Sequence, residues 1–270
     1  MRLRKRALFA KFFNDRGTHL AAMVAYFALL SFVPLIFLAL SLLGLAHRAD
    51  ASDFLVRELK RAFPGTSLQS ILTLVRRVQG NAATLGIIGG VGLLWSSLSL
   101  FSALESAFNI VYGRPNRPFL RGKTVAAALM ASVLVTLFAS LVVGALGVEV
   151  LKRYAPGFVG DQAVAYALSV AVSLLGVFVF LVAVYRLLPN APVTVHDVLP
   201  GAVMGSVILE ASFQVLPVFV RLADVNVTLR VLGGPAILLL WLYVMANVIV
   251  LGAELNWWVA HRRTTQPSGL

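Results

Sequence analysis

Residues 235–263 read PAILLLWLYVMANVIVLGAELNWWVAHRR. One charge, Glu254, interrupts the apolar run from Pro235 to Val259, which begins after Gly233-Gly234 and stops at His261-Arg262-Arg263. About 20 consecutive apolar residues in a helix cross the hydrocarbon core of a bilayer, so this stretch reads as a transmembrane span. Five comparable runs precede it: Leu20 to Ala46, Thr84 to Ile110, Thr124 to Val148, Ala163 to Tyr185 and Val198 to Val220. The expected fold class is all-α, a polytopic membrane protein built as a bundle of six transmembrane helices. Pro34 falls inside the first run and predicts a kink that neighbouring helices accommodate.

Composition agrees. Of 270 residues, 59% are apolar and 13% charged, with a mean hydropathy of +0.88. That is more apolar surface than one water-soluble core of this size buries, and it leaves no room for a sizeable soluble catalytic domain. The net charge of +12 would suggest a nucleic-acid partner in a soluble protein. Here the basic residues crowd the ends of apolar runs, so the charge reads as membrane-surface anchoring and topology, with membrane lipids as the partners and no nucleic acid. With no cysteine, disulfides, thiolate metal sites and cysteine nucleophiles are excluded.

Three segments outside the spans have their own character. Residues 1–18 form a cationic N-terminal segment, MRLRKRALFAKFFNDR at its start, suited to lie at a membrane interface. Between spans one and two, Ala51 to Gly80 carries apolar residues at helical spacing among Arg57, Lys60, Arg61, Arg76 and Arg77, and Pro64-Gly65 divides it. Two short amphipathic helices are expected there, lying on the bilayer or roofing the bundle. Residues 19–260 are then the transmembrane domain and 261–270 a short polar tail. Six spans put both termini on one side, together with Arg114, Arg117, Arg121, Lys123 and Arg186. The positive-inside rule assigns that side to the cytoplasm.

The carboxylates Glu105, Glu210 and Glu254 fall inside expected spans, where ionisable groups are expensive enough to be functional candidates. Ser99, Ser102, Glu105, Ser106 and Asn109 recur at three- and four-residue spacing on span two. Ser206, Glu210, Gln214 and Arg221 share a face of span five, and Tyr243, Asn247 and Glu254 a face of span six. Two readings stay open: an intramembrane polar pathway lined by Glu105, Asn109, Glu210, Gln214, Asn247 and Glu254, or polar glue between helices. Gly86/Gly90 and Gly201/Gly205 have the spacing that lets helix backbones approach closely, within the bundle or between copies. The histidines 19, 47, 196 and 261 lack metal-ligand spacing, and no nucleotide-binding loop or nucleophile–base pair is visible. Neither a metal, a cofactor nor an enzyme is expected.

Four stretches carry a resemblance: HLAAMVAYFALLSFVPLIFL (19–38), LWSSLSLFSALESAFNIVYG (94–113) followed by RPFLRGK, YRLLPNAPVTVHDVLPGAV (185–203) and LLLWLYVMANVIVLGAELNWW (238–258). In order and spacing they resemble the YihY/BrkB family of bacterial inner-membrane proteins, once labelled ribonuclease BN. The resemblance implies six transmembrane helices in the bacterial cytoplasmic membrane. It carries over Ala25, Tyr26, Ser31 and Pro34, then Trp95, Ala103, Glu105 and Asn109, then Pro189, Pro200 and Gly201, and finally Trp241, Gly252, Ala253, Glu254 and Asn256 as motif positions. Glu210 has no counterpart in the pattern, and Leu232-Gly233-Gly234 replaces the aromatic–glycine pair usual before the last span. Hydrolysing RNA calls for a metal or an acid–base set facing water and a groove for the strand, and the sequence displays neither. The expected function is a transporter or a translocase of lipid or another amphiphile, with an anionic lipid or amphiphile as substrate. The alternative is a non-transporting scaffold of an envelope or secretion complex.

Overall fold

The structure, a computed structural model, describes residues 2–45, 82–129, 131–132, 162–225 and 234–265. Every regular element among these residues is an α-helix: α1 (Arg2–Asn14), α2 (Gly17–Leu45), α3 (Ala82–Val111), α4 (119–129), α5 (Gln162–Leu187), α6 (Val195–Val225) and α7 (Gly234–Thr265). The described residues are all-α, as the runs of apolar residues imply. Among the described residues, four stretches are long and apolar enough to cross a membrane: Ile87–Val111, Val170–Leu187, Val195–Val215 and Pro235–Arg262. The 25 residues of the first rise about 37 Å at helical pitch, against a hydrocarbon core of about 30 Å. The described apolar part of α2, Gly17–Phe32, is shorter. Most of the run expected at 124–148, and the amphipathic pair expected between Ala51 and Gly80, lie outside the described residues.

Local chemistry ends these helices. At the end of α3 the N–H of Arg114 donates to the carbonyl of Asn109 (2.8 Å) and that of Gly113 to Ile110 (3.1 Å). This paired closure needs a left-handed residue between the last turn and the exit. Gly113, at φ +62°, takes that conformation without a Cβ penalty, and Pro115 prevents continuation. Helix α6 opens on Thr194, whose hydroxyl and N–H both donate to the Asp197 carboxylate (2.6 and 3.0 Å), while the Asp197 N–H donates to the Thr194 carbonyl (3.2 Å). Threonine before the first turn and an acid three residues on satisfy N–H groups that a helix start leaves unpaired.

The chain forms two compact units. Unit 1 comprises Met1–Asp15, Glu105–Ala211 and Val248–Leu270; unit 2 comprises Arg16–Leu104 and Ser212–Asn247. In unit 1 the fully buried Tyr185 of α5 touches three other helices. Its hydroxyl donates to the Ile249 carbonyl of α7 (2.8 Å), and its ring lies 5.4 Å from that of Phe108 on α3. Gly205 of α6 closes over the same side chain: a Cβ there would lie 2.8 Å from Leu181 and 3.5 Å from the Tyr185 hydroxyl. Helices α6 and α7 approach closely at Gly201, where a Cβ would strike the Gly252 carbonyl and sit 2.6 Å from the Asn256 amide. The Gly201/Gly205 pair therefore packs within the unit. In unit 2, α2 continues through Pro34, and Gly92 of α3 packs beside it, since a Cβ there would come within 3.4 Å of the Pro34 ring.

Candidate functional site

One end of unit 1 gathers most of the buried charge among the described residues. Lys11, in the last turn of α1, donates to Glu254 Oε2 (2.8 Å), to the Val111 carbonyl that ends α3 (2.9 Å) and to the Asp15 carboxylate. An ammonium has three donors, and all three are taken. The Trp257 ring, one turn beyond Glu254, lies 4.2 Å from the same nitrogen and adds a cation–π attraction. Glu254 is wholly buried, and its second oxygen has no partner among the described residues. Lys11 and Asp15 lie one helical turn apart, so the acid steadies the cation that reaches Glu254.

Arg117 organises the adjoining corner. Its guanidinium donates to Glu105 Oε1 (3.2 Å) and to the carbonyls of Leu187 (3.1 Å), Leu188 and Pro189 (2.8 Å). These carbonyls close α5, and a cation is the natural partner for such a helix end. Gly122 leaves the room that Glu105 occupies, since a Cβ there would lie 3.0 Å from its Oε2. Asn109, also wholly buried, donates to Asn116 (2.9 Å) and accepts from the Asn190 N–H (2.6 Å), while the Asn190 amide reaches the Pro115 carbonyl (3.1 Å). The exit of α3 and the exit of α5 are thus joined by Asn109, Asn116, Arg117 and Asn190. Beside them, burial first, then the charges of Asp197 and Glu254, push the Tyr112 phenol above its ordinary range.

The six residues singled out in sequence fall in different places. Glu105, Asn109 and Glu254 belong to this clamp. Glu210 is also in unit 1, where the Ser173 hydroxyl donates to it (2.7 Å). Gln214 and Asn247 belong to unit 2; Gln214 is exposed, and Asn247 donates back to the Tyr243 carbonyl of its own helix (2.8 Å). The serine stripe of α3 divides: Ser99 and Ser102 bond the carbonyls of Trp95 and Leu98, while Ser106 accepts from Asn116. The partners Lys11 and Arg117 were legible only as part of a basic surface. Nothing local links position 11 to position 254.

Unit 2 holds a feature of another kind, a groove of about 420 Å³ lined by Ala22, Ala25 and Tyr26 of α2 and Ala236, Leu239, Leu240 and Tyr243 of α7. Three alanines make the room, two leucines supply apolar wall, and among the described residues two phenols are the only polar side chains on the lining.

Removing the guanidinium should loosen the clamp. Arg117→Gln is expected to destabilise the protein by about 1.5 to 3 kcal/mol, the usual range for hydrogen bonds involving a charged group. Arg117→Lys should recover less than half, because an ammonium is not a planar fork with five donors. Unfolding of the purified variants in detergent measures both.

Membrane-length apolar helices, with their buried carboxylates held by partners outside their own helices, define a polytopic α-helical membrane protein. The chain belongs to the family described as Virulence factor BrkB, whose model matches residues 8–270, and this confirms the resemblance read from the four stretches above. It is 26% identical over 269 residues to the "Putative ribonuclease-like protein YfkH" of Bacillus subtilis (strain 168), covering 96% of each chain. It is 28% identical to the UPF0761 membrane protein azo3165 of Azoarcus sp. (strain BH72), over 92% of this chain and 61% of that one. A UPF0761 membrane protein of Pseudoalteromonas atlantica is 26% identical over 90% of this chain and 81% of its own length. No solved structure matches the chain.

Proposed function

We propose that the protein is a translocase for lipid or another amphiphile, spanning a bacterial inner membrane six times with both termini in the cytoplasm. The observation that carries this reading is the groove of unit 2. An ion path needs polar groups that replace hydration, whereas a lining of alanine, leucine and two tyrosines suits an acyl chain or a similarly apolar body. The charge pairs of unit 1 support a second reading, a non-transporting scaffold. Glu105, Glu210 and Glu254 each have a partner that accounts for their burial without a substrate. The same commitment supports a protein that is not an enzyme, because carboxylates held by Arg117 and Lys11 serve packing before proton transfer. Under the translocase reading, Glu105, Asn109, Glu210, Gln214, Asn247 and Glu254 are either the route of a head group or the glue of the helices, and the pairing favours glue.

Reconstitution into vesicles with a trace of fluorescent phospholipid tests the proposal. A translocase exposes the inner-leaflet label to a membrane-impermeant quencher, so quenching should pass well beyond the outer leaflet's share. A scaffold leaves it there. Ala22→Phe, which places a ring inside the groove, is expected to slow lipid exchange at least about tenfold, equivalent to about 1.4 kcal/mol, without lowering yield. Exchange by a folded Ala22→Phe variant at the normal rate would remove the groove from the route.

A further inference from the structure

The segment that leaves α3, residues 112–124, reads YGRPNRPFLRGKT. It contains four cations and no acid, and of these Arg117 is committed to the clamp. Arg114 and Arg121 are exposed, and Lys123 lies over the Phe119 ring at 5.7 Å. Phe119 and Leu120, at the start of α4, are 75% and 76% exposed. A large apolar doublet standing out beside three basic side chains is unsuited to bulk water. It is equally unsuited to the middle of a bilayer, where each Arg or Lys costs about 2.5 to 3.5 kcal/mol on insertion scales.

The same end of unit 1 repeats the pattern. Lys11 bonds the Val111 carbonyl and so fixes the end of α1 beside this segment. Helix α1 buries Phe12 and turns Phe9 and Phe13 outward, one turn apart, on a sequence that holds Arg2, Arg4, Lys5 and Arg6. On α7 the Arg262 guanidinium stacks 3.5 Å from the Trp258 ring. The acids at this end are already engaged: Asp15 and Glu254 share Lys11, Glu105 pairs with Arg117, and Asp197 accepts from Thr194. The surface is therefore aromatic and cationic, with no exposed carboxylate among the described residues to offset it, and the surface that complements it is a leaflet with negatively charged head groups.

We propose that residues 114–123, with Phe9 and Phe13 of α1, form a collar that binds anionic phospholipid. Phe119 and Leu120 enter the boundary between head groups and acyl chains, while Arg114, Arg121 and Lys123 engage phosphates. This site is a fixed lipid contact, and it stands whether or not the groove of unit 2 carries a substrate. It also gives α1 a second hold, since Lys11 and Phe12 secure one face and lipid takes the other.

Spin-labelled lipids in nanodiscs read the collar directly. For the full chain, a labelled phosphatidylglycerol should be held in the motionally restricted shell several-fold more strongly than labelled phosphatidylcholine, and about 0.5 M sodium chloride should reduce that preference, because the Debye length falls to a few ångströms. The triple variant Arg114→Gln, Arg121→Gln, Lys123→Gln should bring the preference close to one. Its unfolding midpoint in phosphatidylcholine alone should stay close to the parent's, because the bonds that build the clamp run through Lys11, Arg117 and the asparagines. Phe119→Ser with Leu120→Ser should weaken the preference while leaving its salt dependence. An undiminished preference in the triple variant would overturn the proposal. So would loss of the preference on adding inorganic phosphate at constant ionic strength, which would mark a site for the free anion.

Discussion

Replacing Lys11 by Met is expected to destabilise the protein by about 3 to 5 kcal/mol, the usual loss when one member of a buried ion pair is removed. The reason is specific to Glu254. Its carboxylate is wholly buried, one oxygen depends on Lys11, and the other has no partner among the described residues. Without Lys11 it must stay charged in an apolar setting or take up a proton, and both are unfavourable. The double variant Lys11→Met, Glu254→Gln should recover most of the loss, since an uncharged amide removes the stranded charge and keeps the reach to its neighbours. Reversible unfolding in mixed micelles gives the comparison. A single variant as stable as the parent, or a double variant no better than the single, would mean that the pair does not hold α1 to α7.

A methyl group at Gly201 should be nearly as damaging. Gly201→Ala is expected to destabilise by about 3 kcal/mol, the upper end of overpacking losses, or to prevent accumulation altogether. The new Cβ would meet the Gly252 carbonyl, which is backbone and cannot swing aside. It would also meet the Asn256 amide, which already accepts the Gly201 N–H at 2.6 Å. Gly176→Ala provides the contrast on α5. Nothing lies within 4 Å of its Cβ position, so the better helix propensity of alanine should raise stability by up to about 1 kcal/mol. Equal yields and midpoints for the two variants would refute the close crossing of α6 and α7.

The apolar runs made the helices legible because length and hydropathy are local properties. The 235–259 run lies inside α7, and 84–110 lies inside α3 with two residues to spare at its start and one at its end. Glu105, Asn109 and Glu254 stood out for the same reason, as polar groups where lipid makes polarity expensive. Their partners did not, because Lys11 and Glu254 are 243 residues apart and an amphipathic basic helix gives no sign of which cation turns inward. Arg117 was one of four similar cations in a loop, distinguished by Glu105 and the α5 carbonyls that it meets. The stripe of hydroxyls on α3 implied a shared polar face, yet Ser99 and Ser102 donate to carbonyls of their own helix, as small hydroxyls in helices do. The groove was illegible because alanines and leucines look alike in any apolar run, and only folding shows where small ones face large ones.

The central claim is that an amphiphile moves along the groove of unit 2 while the charge pairs of unit 1 hold the helices. Lipid exchange measured side by side for the parent, Ala22→Phe and Lys11→Met, Glu254→Gln, each checked for folding, tests it most directly. The account predicts exchange by the parent and by the double variant at similar rates, and at least about a tenfold slower rate, or about 1.4 kcal/mol, for Ala22→Phe. A parent that does not exchange lipid, or a folded double variant that is silent beside an active Ala22→Phe, would contradict it.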